Sequence, residues 1–148
     1  MRENALFETA SSRSTLFDRE AWTQLILQSS SSVVTKFPVP TRTVYAISKA
    51  ALESLTQQWA AELPKQYNCT VNAVRVGATV TETSAASAQA GDDPARDKAR
   101  AKVIEQTTAA ARLGQVDDIA QVVAWLASEG SRWVNGQTLN ANGGVAFT

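Results

Sequence analysis

Tyr45 and Lys49 are the two side chains of this sequence whose types and spacing suggest chemistry. Four residues apart on a helix, they project from one face, one above the other. A phenol, with a reference pKa of about 10, is a poor acid–base group at neutral pH, but a neighbouring ammonium favours its phenolate. A tyrosine so placed can exchange a proton with an alcohol or a carbonyl. An isolated Tyr-x-x-x-Lys match is also what a packed helix start with a solvated lysine looks like, so the surrounding elements decide between the two.

Composition removes most other chemistries. The chain has no histidine, which excludes Ser-His-Asp triads, Cys-His pairs and histidine-ligated zinc. Its single cysteine, Cys69, can form neither an intrachain disulfide nor a thiolate cluster. Cys69 is expected to be a small buried residue in a reducing, cytoplasmic protein. Fourteen basic and fourteen acidic residues cancel, leaving no basic field for nucleic acid or an anionic membrane. A small molecule or another protein is the expected partner. Apolar runs such as Leu25-Ile26-Leu27 fall far short of the roughly 20 residues needed to cross a bilayer. The opening MRENALFETASSRS lacks the apolar stretch of a secretory leader, and Glu3 and Glu8 argue against a transit peptide. With 148 residues, 44% of them apolar, one globular domain is expected.

The elements that would position the pair can be read along the chain. Residues 1–21 have no clear period and read as a poorly ordered lead-in; residues 22–148 read as the domain. Trp22 to Gln28 suits a short buried strand ending in a serine loop, after which Pro38 and Pro40 keep the chain extended or turning. From Thr43 to Leu63 apolar residues recur at helical spacing, and Pro64 follows. Thr70 to Val76 is β-branched and nearly continuously apolar, as in a parallel strand covered on both faces. Residues 84–111 read as a mobile helical insert opening near Asp92, Asp93 and Pro94. Asp117-Asp118 start another helix, whose acidic first turn suits the helix dipole, with Gly130 beyond its end. Gln137 to Ala141 forms a last strand before Gly143-Gly144. This alternation predicts an α/β fold, a parallel sheet with right-handed crossovers.

YAISKAALESLTQQWAAEL, TVNAVRVGATVTET and RLGQVDDIAQVVAWLASEGSRWVNGQTLNANGG, in that order, resemble the C-terminal half of short-chain dehydrogenase/reductases of the Tyr-x-x-x-Lys type over residues 22–146. The resemblance implies a Rossmann-like, doubly wound parallel sheet, truncated here to its second half. It implies NAD or NADP as cofactor and a carbonyl/alcohol substrate. Tyr45 would be the catalytic acid or base, while Lys49 would hold the nicotinamide ribose and favour the tyrosinate. Ser32 is the serine that would bond the substrate oxygen, with Ser30 the alternative when counting from the strand end. Gly77 and Thr81 match the cofactor loop, where Val76 replaces the family's usual proline. Gly143 and Gly144 would serve a turn. No glycine precedes Gly77, so the family's glycine-rich diphosphate turn has no counterpart in this sequence.

Three readings follow. The first is a ketoreductase-like NAD(P)-dependent oxidoreductase, a homo-oligomer or an associate of another family member. The second is a catalytically inactive remnant that serves as a dimerisation or regulatory partner. The third, a binding module unrelated to dehydrogenases, requires all three motifs to coincide in order. The substrate and the choice of NAD or NADP have no visible determinant in the sequence.

Overall fold

A computed structural model describes residues 22–30, 42–82 and 94–147. The lead-in 1–21, the loop with Ser32, Pro38 and Pro40, and the insert's first part with Asp92 and Asp93 lie outside the described residues. The elements run β1 (Thr23–Ser30), α1 (Thr43–Glu62), a one-turn α2 (Pro64–Tyr67), β2 (Cys69–Val76), α3 (Pro94–Gln106), α4 (Val116–Leu126) and β3 (Thr138–Ala141). A 3-10 turn at Glu129–Ser131 takes in Gly130, which the sequence placed just beyond the helix. The strands form one parallel sheet in the order β1-β2-β3.

β2 organises the rest. Its residues 69–75 are all buried, because it is flanked by strands on both edges and carries side chains that need cover on both faces. On one face Cys69 and Val71 pack with Ala60 and Leu63 of the α1 end, and Leu25, Leu27, Trp59 and Tyr67 close around them. On the other, Ile26, Val74 and Val76 face Val116, Ile119 and Val123 of α4 across a groove of about 450 Å³. α1 and α4 therefore lie on opposite faces, although β1, β2 and β3 step across the sheet in one direction. The two crossovers must then have opposite hands, which corrects the expectation that both are right-handed. β1 is also less buried than expected: Thr23 to Leu27 are all half-buried. β2 pairs with one edge of it, and no described strand pairs with the other.

Two asparagines fasten the C-terminal segment. Asn135 Oδ1 accepts from Val71 N at 3.0 Å while its Nδ2 donates to Ala60 O at 2.9 Å, joining the middle strand to the end of α1. The buried Asn72 Nδ2 donates to Val134 O at 2.8 Å and its Oδ1 accepts from Gln137 N at 3.1 Å. Between them Gly136 has φ +74, a left-handed conformation that favours glycine. These bonds hold β3 in register before its own ladder begins at Ala73↔Thr138.

Among the described residues no helix is long and apolar enough to cross a membrane. Cys69 is a free, buried thiol, as expected from the sequence, and desolvation pushes its pKa up. Asn135→Ala would strand the N–H of fully buried Val71. It is expected to destabilise the fold by about 1–3 kcal/mol, read as a lower urea midpoint with an unchanged slope.

Candidate active site

Parallel strands end on the same edge of a sheet, and crevices at the carboxyl ends are where open α/β sheets bind ligands. Here that edge receives the C-terminus of β1, the loop after β2 and the N-terminal turns of α1. α1 begins without a side-chain cap; Arg42 is its N-cap residue, and Ala46 N donates to Arg42 O at 2.8 Å. Tyr45 and Lys49 stand in its first two turns on one face. The Lys49 ammonium lies 5.9 Å from the Tyr45 ring centroid, within cation–π reach, and donates to Gln28 O at 3.0 Å. The expected pair is therefore brought together, and its lysine is anchored to the end of β1. Tyr45 is 42% exposed, accessible to a ligand at this edge.

The serine assignment divides. Ser32 lies outside the described residues, while Ser30 is the last residue of β1, half-buried and engaged in an interaction of its own. Gly77 and Thr81 both occur on the loop leaving β2. Gly77 continues the sheet by donating from its N–H to Ala141 O at 3.0 Å. A Cβ on Gly77 would come within 2.7 Å of Asn142 Cα, so close backbone approach, and not a left-handed turn, is what requires glycine. Val76 in place of proline keeps a backbone N–H at a position paired with both Ser30 and Ala141. Thr81 is exposed at the groove beside α4.

The same loop is strapped from the far side. Gly114 N donates to Ala78 O at 3.0 Å and Val80 N donates to Gly114 O at 2.9 Å. Immediately afterwards Gln115 caps α4 reciprocally with Asp118, which accepts from Gln115 N at 2.7 Å. Arg112 grips both Asp118 oxygens at 2.6 and 3.0 Å. Those bonds, Arg112 first and then the backbone N–H, hold the Asp118 carboxyl at about 2. Gly77, Thr79, Arg112, Gly114, Asp118 and Asn142 line a cavity of about 200 Å³ beneath the strap. Gly143 and Gly144, with φ +63 and +79, form the expected turn after β3. Asn142 shapes that turn, accepting from Gly144 N and donating to Ala146 O.

Sequence reading missed a buried ionic cluster directly behind the pair. Glu53, one turn beyond Lys49, accepts from Arg75 Nε at 2.9 Å and Arg75 Nη2 at 2.6 Å, and also from Ser29 Oγ. Arg75 Nη1 donates onward to Asn140 Oδ1 at 3.2 Å on β3. Burial pushes the Glu53 carboxyl up, but the Arg75 and Ser29 hydrogen bonds and the guanidinium charge outweigh it and hold the group below its ordinary value. The available signal was a lone arginine inside an otherwise buried strand, which must have an acid within reach.

Comparison with known proteins adds a lineage. Residues 4–146 match the family model described as enoyl-(acyl carrier protein) reductase. The short-chain dehydrogenase/reductase FrzI of Cladobotryum sp is 49% identical over 102 residues, 69% of this chain and 39% of its own length. The crystal structure of a 3-oxoacyl-[acyl-carrier protein] reductase from Brucella melitensis superposes with a TM-score of 0.71 at 33% identity, over 88% of this chain and 44% of that one. A gluconate 5-dehydrogenase from Burkholderia cenocepacia, solved in complex with NADP and tartrate, gives 0.68 at 32% identity over 82% and 44%. The chain thus spans between 39% and 44% of the length of these relatives.

Two outcomes test the loop's construction. Gly77→Ala must push apart β2 and Asn142 and is expected to cost about 1–3 kcal/mol in chemical denaturation. The Asp118 carboxyl is depressed from 3.8 to about 2, so its contribution is complete above pH 4 and fades as pH falls toward 2. The melting-temperature gap between wild type and Arg112→Ala should therefore shrink across that interval; a gap constant from pH 6 to 2 would remove the ion pair from the account.

Proposed function

Because the chain belongs to the short-chain dehydrogenase/reductase family, we propose that it carries the proton-transfer half of an NAD(P)-dependent oxidoreductase acting on a carbonyl/alcohol pair. The observation that supports this reading most directly is the Lys49 ammonium, held between Gln28 O and the face of Tyr45 at the carboxyl edge of the sheet. The residues at that edge suit the nicotinamide-ribose end of a dinucleotide. Lys49 has N–H donors for ribose hydroxyls, and the Gly77–Thr81 loop leaves β2 at the same edge of the sheet. A glycine-rich turn for the diphosphate is absent from these 148 residues.

A bound nicotinamide would supply or accept the hydride at the substrate carbon. In the reducing direction Tyr45 Oη gives its proton to the carbonyl oxygen as that oxygen gains charge. In the oxidising direction it takes the alcohol proton. Lys49, with its ammonium beside the Tyr45 ring, is assigned to fix the ribose. Ser32 is assigned to hold the substrate oxygen, with Ser30, at the strand end, the alternative donor.

A second reading, an inactive remnant serving as a partner for another copy or another family member, is favoured by one observation. Val44, Ile47 and Leu55 on α1 are 82%, 63% and 38% exposed, an apolar stripe of the kind that a partner helix covers.

Titration of the 148-residue chain with NADH and with NADPH, followed by cofactor fluorescence, is expected to saturate for at least one of them. Tyr45→Phe should then keep binding and lose about 10²-fold or more in turnover of a carbonyl substrate. Binding of neither cofactor, together with a dimer that dissociates when Ile47 is replaced by Glu, would establish the partner reading instead.

A further inference from the structure

The pair Tyr45–Lys49 depends on an alignment that neither residue provides. Lys49 reaches Gln28 O only if the N-terminal turns of α1 lie at one height along β1. An apolar helix–sheet contact resists separation, but its energy changes little when the helix slides or rotates slightly. The buried apolar cluster that α1 forms with the sheet lies toward its other end, around Trp59, Ala60 and Leu63.

At the carboxyl edge the contact is ionic. Tyr45, Lys49 and Glu53 follow one another at four-residue intervals, so they share a face of α1. The Glu53 carboxylate is joined to Ser29, the residue immediately after Gln28, and to Arg75, which is Ser29's partner in the β1–β2 register. Arg75 in turn bonds Asn140, its partner on β3. One carboxylate thus ties α1 directly to two strands and, through the guanidinium, to the third. Ser29 is 0% exposed, and the Arg75 and Glu53 side chains are 7% and 15% exposed, so solvent does little to loosen the bonds. Two parallel N–H···O bonds from a planar guanidinium fix direction as well as distance.

We propose that Glu53 and Arg75 are positioning residues for Tyr45 and Lys49, locking α1 to the ends of β1 and β2 so that Lys49 stays on Gln28 O and beside the tyrosine ring. Their part in a reaction rests on the oxidoreductase reading above. Their effect on Lys49 does not, and can be measured without turnover.

The experiment is competitive acylation of the folded chain with a limiting amine-reactive reagent, read by peptide mass spectrometry, with exposed Lys65 and Lys98 as internal references. Wild-type Lys49 should react several-fold more slowly than the references. In Glu53→Leu/Arg75→Met, which replaces the ion pair by apolar groups of similar size, backbone amide protection of β2 should persist while Lys49 rises to the reference rate. An unchanged Lys49 rate in that folded double variant would overturn the proposal. If the double variant loses β2 protection, Glu53→Asp decides: the carboxylate is kept but retracted by one methylene, and Lys49 should again speed up, an unchanged rate again overturning the proposal. NADH and NADPH titration of the same wild-type sample separates the two claims. Absence of cofactor binding with a protected Lys49 defeats the oxidoreductase reading alone. Cofactor binding with Lys49 indifferent to both variants defeats the positioning role alone.

Discussion

Glu53 is a carboxylate withdrawn from water and repaid by a guanidinium and a hydroxyl. A largely buried charge tolerates little displacement of its partners, since losing the guanidinium leaves it uncompensated in a medium that solvates it poorly. This intolerance passes to the elements that carry the partners. Helix α1, strand β1 and strand β2 can slide or rotate relative to one another only by breaking it, and the apolar packing at their other end then has a single arrangement to fill. The positions of Tyr45 and Lys49 follow from that fixed point.

The remaining polar ties work in the same sense at other places. Asn135 and Asn72 bring the C-terminal segment onto β2, and Gly114 and Arg112 fasten the loop after β2 to the start of α4. Each uses a side chain or a glycine where regular secondary structure stops and backbone groups would otherwise lack partners. The apolar parts are in turn simple. β2 is covered on both faces, by α1 on one and α4 on the other.

What could be read from the sequence was local. The Tyr45–Lys49 juxtaposition follows from helix geometry alone, the burial of β2 from its β-branched, nearly continuous run, and the turn at Gly143–Gly144 from residue type. The glycine requirement at Gly77 was expected, although its cause is the approach of Asn142 and not a special φ. Less local matters were invisible. A linear pattern does not state which face of a sheet a helix covers, so the opposite hands of the two crossovers could not be inferred. Arg75 and Glu53 each look like an isolated charge in its own element, and nothing periodic links residues 22 positions apart. Four consecutive serines are chemically alike, so the choice between Ser32 and Ser30 depends on loop geometry that the sequence does not encode.

The sequence separations of these ties have a consequence for how the chain acquires its shape. The bonds of Glu53 to Ser29 and to Arg75 close loops of 24 and 22 residues. Those that attach the last segment, Asn135 to Val71 and to Ala60, close loops of 64 and 75. Loop closure grows more costly with length, and distant contacts are rewarded only after that entropy has been spent. The β1-α1-β2 unit can therefore assemble around its own ion pair during synthesis, presenting a finished strand edge to which α4 and β3 are added last.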